Sequence, residues 1–218
     1  MDLELVGDVD LFADFSPDEL AEVAGLAELR ALRRGDVLFT EGAVPDELFV
    51  VVSGRIAIAN RSIDGRESVV ALMTQRQAFG EMGLFLDRGR TAEARALEPS
   101  QVAAVPYEPI RAIYTGRPAL LWGVVTLLAG RLRTMDGALA DAVFLDVTGR
   151  TAKRLLELAG DAEEFTLPVT QEELAGMVGA SRERVNKALA QFVRLDWLEQ
   201  SERRYRITNR QQLEIRAR

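Results

Sequence analysis

With 218 residues, no cysteine and no histidine, the chain is long enough for two domains and excludes disulfide staples, thiol nucleophiles, Cys/His zinc sites, histidine-ligated haem and Ser-His-Asp triads. Hydrophobic residues make up 48% and charged residues 28%, ordinary for a globular protein, and no apolar run reaches the roughly 18–20 residues that span a bilayer. The net charge of −7 is uneven: residues 149–218 carry 13 Lys and Arg against 11 Asp and Glu, and residues 1–148 carry 14 against 23.

That asymmetry suggests a small basic module on an acidic body. The start, Met1-Asp2-Leu3-Glu4, has acid where a secretory signal has base, so a cytoplasmic protein without a membrane partner is expected.

Ser16 is an N-cap for an amphipathic helix over Pro17 to Leu29. From Leu32 to Val105 the chain reads as short β-rich runs, such as Leu48-Phe49-Val50-Val51-Val52 and Ile56-Ala57-Ile58, punctuated by Gly35, Gly42, Gly54, Gly65, Gly80 and Gly89. Asp64-Gly65 is a hairpin signal, and the spacing predicts a small sandwich or barrel.

After Pro118 the period changes. Leu121, Val125, Leu128, Leu132, Met135 and Leu139 recur at heptad spacing, which predicts a helix of roughly 25 residues that pairs in parallel with a second copy. Packing of this stripe against its own β-domain is the alternative. Phe144 to Gly149 breaks the pattern, Gly149 marks a hinge or the edge of the next helix, and a further helix is expected near Thr151 to Leu158, followed by a polar loop through Gly160-Asp161.

Thr170 and Glu173 fit a capping box that opens a helix through Leu174, Ala175 and Val178, and Gly179 supplies a left-handed turn. Ser181 caps a second helix whose apolar face, Val185, Leu189 and Phe192, turns Arg182, Glu183, Asn186 and Lys187 outward. Short helix, glycine turn and second helix with polar residues at its N-terminal end make a helix-turn-helix, in which that end enters the major groove of double-stranded DNA. Arginine and lysine donate to guanine, and glutamate accepts from cytosine. The expected DNA contacts are Thr170, Gln171, Ser181, Arg182, Glu183, Asn186 and Lys187; a surface ion pair between Glu183 and Lys187 is the alternative for those two. Trp197-Leu198-Glu199 and Tyr205-Arg206-Ile207-Thr208 read as two strands of a wing whose Arg203 and Arg204, with Arg206, meet phosphate.

Three runs carry a resemblance. Phe79-Gly80-Glu81-Met82-Gly83-Leu84-Phe85 followed by Arg90-Thr91-Ala92 resembles the phosphate-binding cassette of cyclic-nucleotide-binding domains. Phe144 to Arg150 is similar to the hinge, and Val178 to Glu183 to the recognition-helix entry, of the Crp/Fnr regulators, closest to their cyclic-AMP receptor branch.

The resemblance implies an α+β chain: an N-terminal β-roll (double-stranded β-helix or jelly-roll) domain over 1–117, a long dimerisation helix and hinge over 118–145, and a C-terminal winged helix-turn-helix over 146–218. It implies a ligand site at Gly80, Glu81, Met82, Arg90, Thr91 and Ala92, with Glu81 on the ribose 2′-OH and Arg90 as counter-charge to the cyclic phosphate. Backbone N–H groups around Arg90, Thr91 and Ala92 would cradle that phosphate. An ion pair between Arg90 and Glu81 is the structural alternative. At the base end the sequence departs from the branch, with Met135 and Asp136 where Thr and Ser or Asn are usual. The resemblance implies cyclic AMP as the regulatory ligand; Asp136 accepts from adenine N6 or, with better complementarity, from guanine N1–H and N2–H₂, which leaves cyclic GMP, another nucleotide or none as the alternatives, and no cofactor is expected.

The expected protein is a homodimeric transcription regulator, not an enzyme, that binds a near-palindromic DNA site and RNA polymerase. The alternatives are a ligand-independent member of the same fold, one controlled by cyclic GMP or another ligand, and a low-specificity DNA-architectural protein. A cupin-type enzyme is disfavoured because its metal site would want histidines.

Overall fold

In the computed structural model, which describes residue 7 and residues 9–61, 67–86 and 88–218, the chain divides into two units, one up to Arg133 and one from Thr134 onward. The Asp64-Gly65 turn lies outside the described residues.

The first unit opens on a 3₁₀ turn, Asp10–Phe12, and helix α1, Pro17–Leu26. Ser16 is the expected N-cap, and with Glu19 it closes a capping box that the sequence reading did not name, each side chain accepting from the other's backbone N–H. The helix stops three residues short of Leu29 because Glu28 already pairs with Ala104 as the first rung of a strand. Strands β1 (Glu28–Leu32), β2 (Val37–Phe39), β3 (Glu47–Ser53), β4 (Ile56–Arg61), β5 (Glu67–Met73), β6 (Ala78–Phe79), β7 (Glu93–Ala96) and β8 (Ser100–Pro106) form two four-stranded sheets, ordered β1-β8-β3-β6 and β2-β7-β4-β5. A one-turn helix α2 (Met82–Phe85) interrupts the strands, and α3 (Tyr107–Gly116) and the long α4 (Leu121–Phe144) follow them.

Strand β3 explains why its sequence is continuously apolar rather than alternating: both of its faces are covered. Phe49 and Val51 enter a core with Ile56, Phe79, Ala94, Val102 and Ala104 between the two sheets. Leu48 and Val50 point the other way, into a second core with Phe12, Val23, Tyr107, Ile110 and Val124 from the helices. Strand β8 answers residue for residue, with Leu48 opposite Val105 and Phe49 opposite Ala104. Of the 24 residues of α4, only Val124 is buried; Leu121, Val125, Leu128, Leu132, Met135 and Leu139 are exposed.

In the second unit, α5 (Val147–Ala159), α6 (Gln171–Val178), α7 (Arg182–Arg194) and α8 (Arg210–Arg216) surround a three-stranded antiparallel sheet ordered β10-β11-β9. Its strands are β9 (Glu164–Thr166), β10 (Leu198–Ser201) and β11 (Arg204–Ile207). The expected two-stranded wing is therefore three-stranded. Strand β9 falls just beyond the polar loop the sequence suggested and is held by Phe165 stacked on Tyr205, with ring centroids 5.8 Å apart. Gly149, expected as a hinge or helix edge, sits in the first turn of α5, where a Cβ would lie 2.9 Å from the Arg216 carbonyl oxygen; its role is close helix packing.

Gly54 turns β3 into β4 at φ +80°, and a Cβ there would lie 2.7 Å from Ser100 Cα. Strain and overlap then act together. Gly54→Ala is expected to destabilise the first unit by about 2–3 kcal/mol and lower its melting midpoint by about 5–10 °C, measured by circular dichroism.

Candidate ligand pocket and nucleic-acid interface

Gly80 leaves β6 in the left-handed region, φ +79°, and a Cβ at this position would lie 2.7 Å from Arg90 Nη1. The missing side chain is what lets the Arg90 guanidinium close against the backbone here. Arg90 is only 7% exposed. Its Nη1 donates to the Gly80 carbonyl at 3.0 Å and to Tyr107 Oη at 2.9 Å, and its Nη2 donates to the Glu47 carbonyl at 2.7 Å. The guanidinium carbon stands 4.3 Å from the Phe39 ring centroid, a cation–π contact. Arg90 Nε is buried and has no partner among the described residues.

All three acceptors of Arg90 are neutral, because the neighbouring carboxylates are engaged elsewhere. The Glu47 side chain holds Arg30, with Oε2 accepting from Nη2 at 2.8 Å. Glu81, 2% exposed, pairs with Arg131 of α4, whose Nη2 also donates to the Ala78 carbonyl at 2.9 Å. The ion pair considered between Arg90 and Glu81 is thus replaced by one between Arg131 and Glu81. The expected amide cradle is also narrower: the Arg90 N–H donates to the Ala43 carbonyl at 2.9 Å, which leaves Thr91 and Ala92 as its candidates. Thr91 and Met82 are exposed and meet through Thr91 Oγ1 and Met82 Sδ at 3.7 Å, whereas Ala92 is buried.

Tyr107 and Arg131 were not singled out from the sequence. The available signal for Arg131 was its place one helical turn before Met135 on the seam helix. Tyr107 directly follows the last residue of β8, and burial raises its phenol pKa while the adjacent Arg90 opposes that rise. Met135 and Asp136 belong to the second unit, where both are exposed on α4.

In the second unit, Thr170 caps α6 with the reciprocal Glu173 bond, and Gly179 ends it in the left-handed region at φ 68°. Ser181 caps α7, accepting from the Arg184 N–H at 3.4 Å. Val185, Leu189 and Phe192 are buried, so Arg182, Glu183 and Lys187 face water and Asn186 sits half-buried with its Oδ1 unpartnered among the described residues. Lys187 Nζ lies 2.7 Å from Glu183 Oε1 and holds that carboxyl below its ordinary pKa. Both side chains are well exposed, so the pair opens at little cost when a base edge competes for either partner. Gln171 is half-buried and contacts Tyr205, Arg204 is exposed at the wing, and Arg203 Nη2 donates to the Leu167 carbonyl at 3.0 Å.

Asp146 caps α5. Its Oδ1 accepts from the Gly149 N–H at 2.8 Å, and its carboxylate pairs with Arg216. Arg150 reinforces this start by donating to the Leu145 carbonyl at 2.7 Å and the Val178 carbonyl at 2.9 Å, which joins α5 to the end of α6.

Residues 29–116 match the cyclic nucleotide-binding domain family, and residues 149–216 match the Crp-like helix-turn-helix domain family. The chain is 34% identical, over 222 aligned positions and 99% of both chains, to a CRP-like cAMP-activated global transcriptional regulator of Mycobacterium tuberculosis. It is 33% identical to the cAMP-activated global transcriptional regulator CRP of Pasteurella multocida over 159 positions, 70% of this chain and 76% of that one. Among solved structures, FixK2 of Bradyrhizobium japonicum shares the fold with a TM-score of 0.78 at 21% identity, covering 87% of this chain and 96% of that one.

The Gly149 N–H and then Arg216 hold the Asp146 carboxyl below the usual Asp range. Its contribution to stability is therefore complete above about pH 4 and is lost as the pH falls through the lowered value. Asp146→Asn, which keeps a capping oxygen but no charge, is expected to lower stability above about pH 5, where the wild-type carboxylate is charged, and to converge on the wild type as the pH falls through the lowered carboxyl pKa; acid titration followed by circular dichroism checks this.

Proposed function

The chain belongs to the Crp family of DNA-binding transcription regulators that carry a cyclic nucleotide-binding domain, and from that premise we propose that a cyclic nucleotide controls its binding to DNA. One observation carries the ligand reading: a buried guanidinium that, among the described residues, has only neutral acceptors and no partner for its Nε. Burying a cation without a counter-charge is costly, and an anion that reaches it recovers that cost through charge-assisted hydrogen bonds. A cyclic phosphate fits this requirement.

In this reading Arg90, Thr91 and Ala92 take the phosphate, Gly80 and Met82 add backbone contacts, and Glu81 accepts from the ribose 2′-OH beside its bond from Arg131. Met135 and Asp136 select the base. Cyclic AMP is the proposed ligand, as in the names of the two relatives, and cyclic GMP is the second reading because Asp136 is an exposed, acceptor-only group when ionised.

The exposed heptad stripe of α4 supports a parallel homodimer, with the chain working as three segments, 1–117, 118–145 and 146–218. Two recognition helices of such a dimer enter major grooves about one turn apart on a near-palindromic site. Arg182, Glu183, Asn186 and Lys187 read bases there, and Thr170, Gln171, Ser181, Arg203 and Arg204 meet the backbone. Nucleotide shifts the DNA-competent population only by its differential affinity for the two states. RNA polymerase is the proposed downstream partner in the cytoplasm. Among the described residues no single helix is long and apolar enough to cross a membrane.

Calorimetric titration of the nucleotide-stripped protein with cyclic AMP and with cyclic GMP tests the reading. Arg90→Leu is expected to abolish binding of both while the sedimentation coefficient stays that of the wild type; unchanged affinity would sink the pocket assignment. Arg182→Ala is expected to weaken binding to the specific site by about 1–3 kcal/mol and to leave random DNA little affected, measured by fluorescence anisotropy with cyclic AMP present. Equal affinity for specific and random DNA, with no response to nucleotide, would favour the architectural alternative.

A further inference from the structure

We propose that Tyr107 is a positioning residue for the ligand: its hydroxyl fixes Arg90 so that the guanidinium's remaining donors stay aimed at an anion. The proposal rests on the reading that Arg90 receives the phosphate. Tyr107, 3% exposed, is the first residue of α3. Its hydroxyl donates to the Gly80 carbonyl and accepts from Arg90 Nη1 at 2.9 Å, while Arg90 Nη1 also donates to that carbonyl at 3.0 Å. Three groups from β6, α3 and the segment before β7 thus close a triangle around one guanidinium nitrogen.

Donor arithmetic decides whether this triangle restrains or prepares the arginine. A guanidinium has five N–H donors. Nη1 uses two, on Gly80 and Tyr107, and Nη2 uses one, on Glu47. Among the described residues Nε–H and one N–H of Nη2 are left, so an anion at Arg90 has two donors to meet without displacing Tyr107. The hydroxyl therefore prepares the arginine and does not lock it away. Phe39 and Phe49 line the guanidinium's other surroundings, at 4.3 and 5.5 Å from the guanidinium carbon to the ring centroids, and offer no hydrogen bond that replaces the hydroxyl.

The same helix makes a second grip one turn later. Arg111 donates from Nε to the Leu84 carbonyl and from Nη2 to the Gly83 carbonyl, each at 3.1 Å. Residues 107 and 111 stand at i and i+4 on α3 and hold both ends of the short α2, with Tyr107 at the Gly80 side. Gly83 packs against the same hydroxyl: a Cβ there would lie 2.7 Å from Tyr107 Oη.

The test is a double-mutant cycle with a readout that needs no nucleotide. Tyr107→Phe keeps the ring and its packing and removes only the hydroxyl. It is expected to raise the Kd for cyclic AMP about tenfold with the melting midpoint unchanged to within about 2 °C. In an Arg90→Lys background, where the guanidinium is gone, Tyr107→Phe is expected to change Kd less than twofold. An unchanged Kd in the wild-type background, or an equal tenfold loss in both backgrounds, overturns the proposal. In the ligand-free protein, Tyr107→Phe is expected to speed hydrogen exchange of the Arg90 Nε–H at least fivefold by NMR, and unchanged exchange also overturns it. Should the wild type bind neither cyclic AMP nor cyclic GMP, the proposed function fails on its own, and the exchange measurement still decides the role of Tyr107.

Discussion

A buried positive charge that has no carboxylate partner among the described residues organises the first half of this chain. Arg90 is enclosed by carbonyls, a phenol and aromatic faces supplied by separate pieces of the fold, two of them by β3. Strand β3 brings the Glu47 carbonyl and Phe49, β2 brings Phe39, the left-handed Gly80 brings its carbonyl, and α3 brings Tyr107. The two acids that would neutralise it are drawn off by other arginines, Glu47 by Arg30 and Glu81 by Arg131. Charge separation of this kind takes four elements in register, which is a reason for so small a unit to be built as two sheets with helices on one side.

Those layers also explain the double duty of β3 and β8. Each strand presents apolar side chains to both of its faces, one set to the intersheet core and the other to the core shared with α1, α3 and the start of α4. The stack Phe39–Phe49–Phe79 bridges the intersheet core to the arginine, with ring centroids 5.6 and 5.4 Å apart along it. The packing core and the Arg90 cage consequently share side chains, and a core substitution at Phe49 is expected to disturb the guanidinium as well as the fold.

Local signals were legible where the chain's own neighbours carry the physics. The N-cap at Ser16, the capping box at Thr170, the left-handed Gly179 and the buried face of α7 follow from spacing alone. What could not be read from spacing depends on distant partners. Helix α1 ends early because Glu28 has a strand partner 76 residues away, at Ala104. Strand β9 depends on its pairing with β11, where Phe165 stacks on Tyr205. Arg131 and Tyr107 are ordinary residues in sequence, and only the fold brings the first to Glu81 and the second to Arg90. Asn209 caps a further helix, α8, which the sequence pattern did not suggest because its seven residues bury just Leu213.

The contrast in burial between Arg90 and the arginines of α7 and the wing has a consequence for how the chain meets its medium. Mobile ions screen exposed charges within a Debye length of roughly 8 Å at physiological ionic strength, but reach a buried charge poorly. Arg182 and Arg204 are exposed, and contacts made by such cations weaken steeply as salt rises, since counterions compete for every phosphate. Arg90, enclosed by protein, keeps its attraction for an anion across the same range. On the proposed function, rising ionic strength is therefore expected to weaken the contacts of the exposed C-terminal arginines with nucleic acid more than the contact of a ligand anion with Arg90.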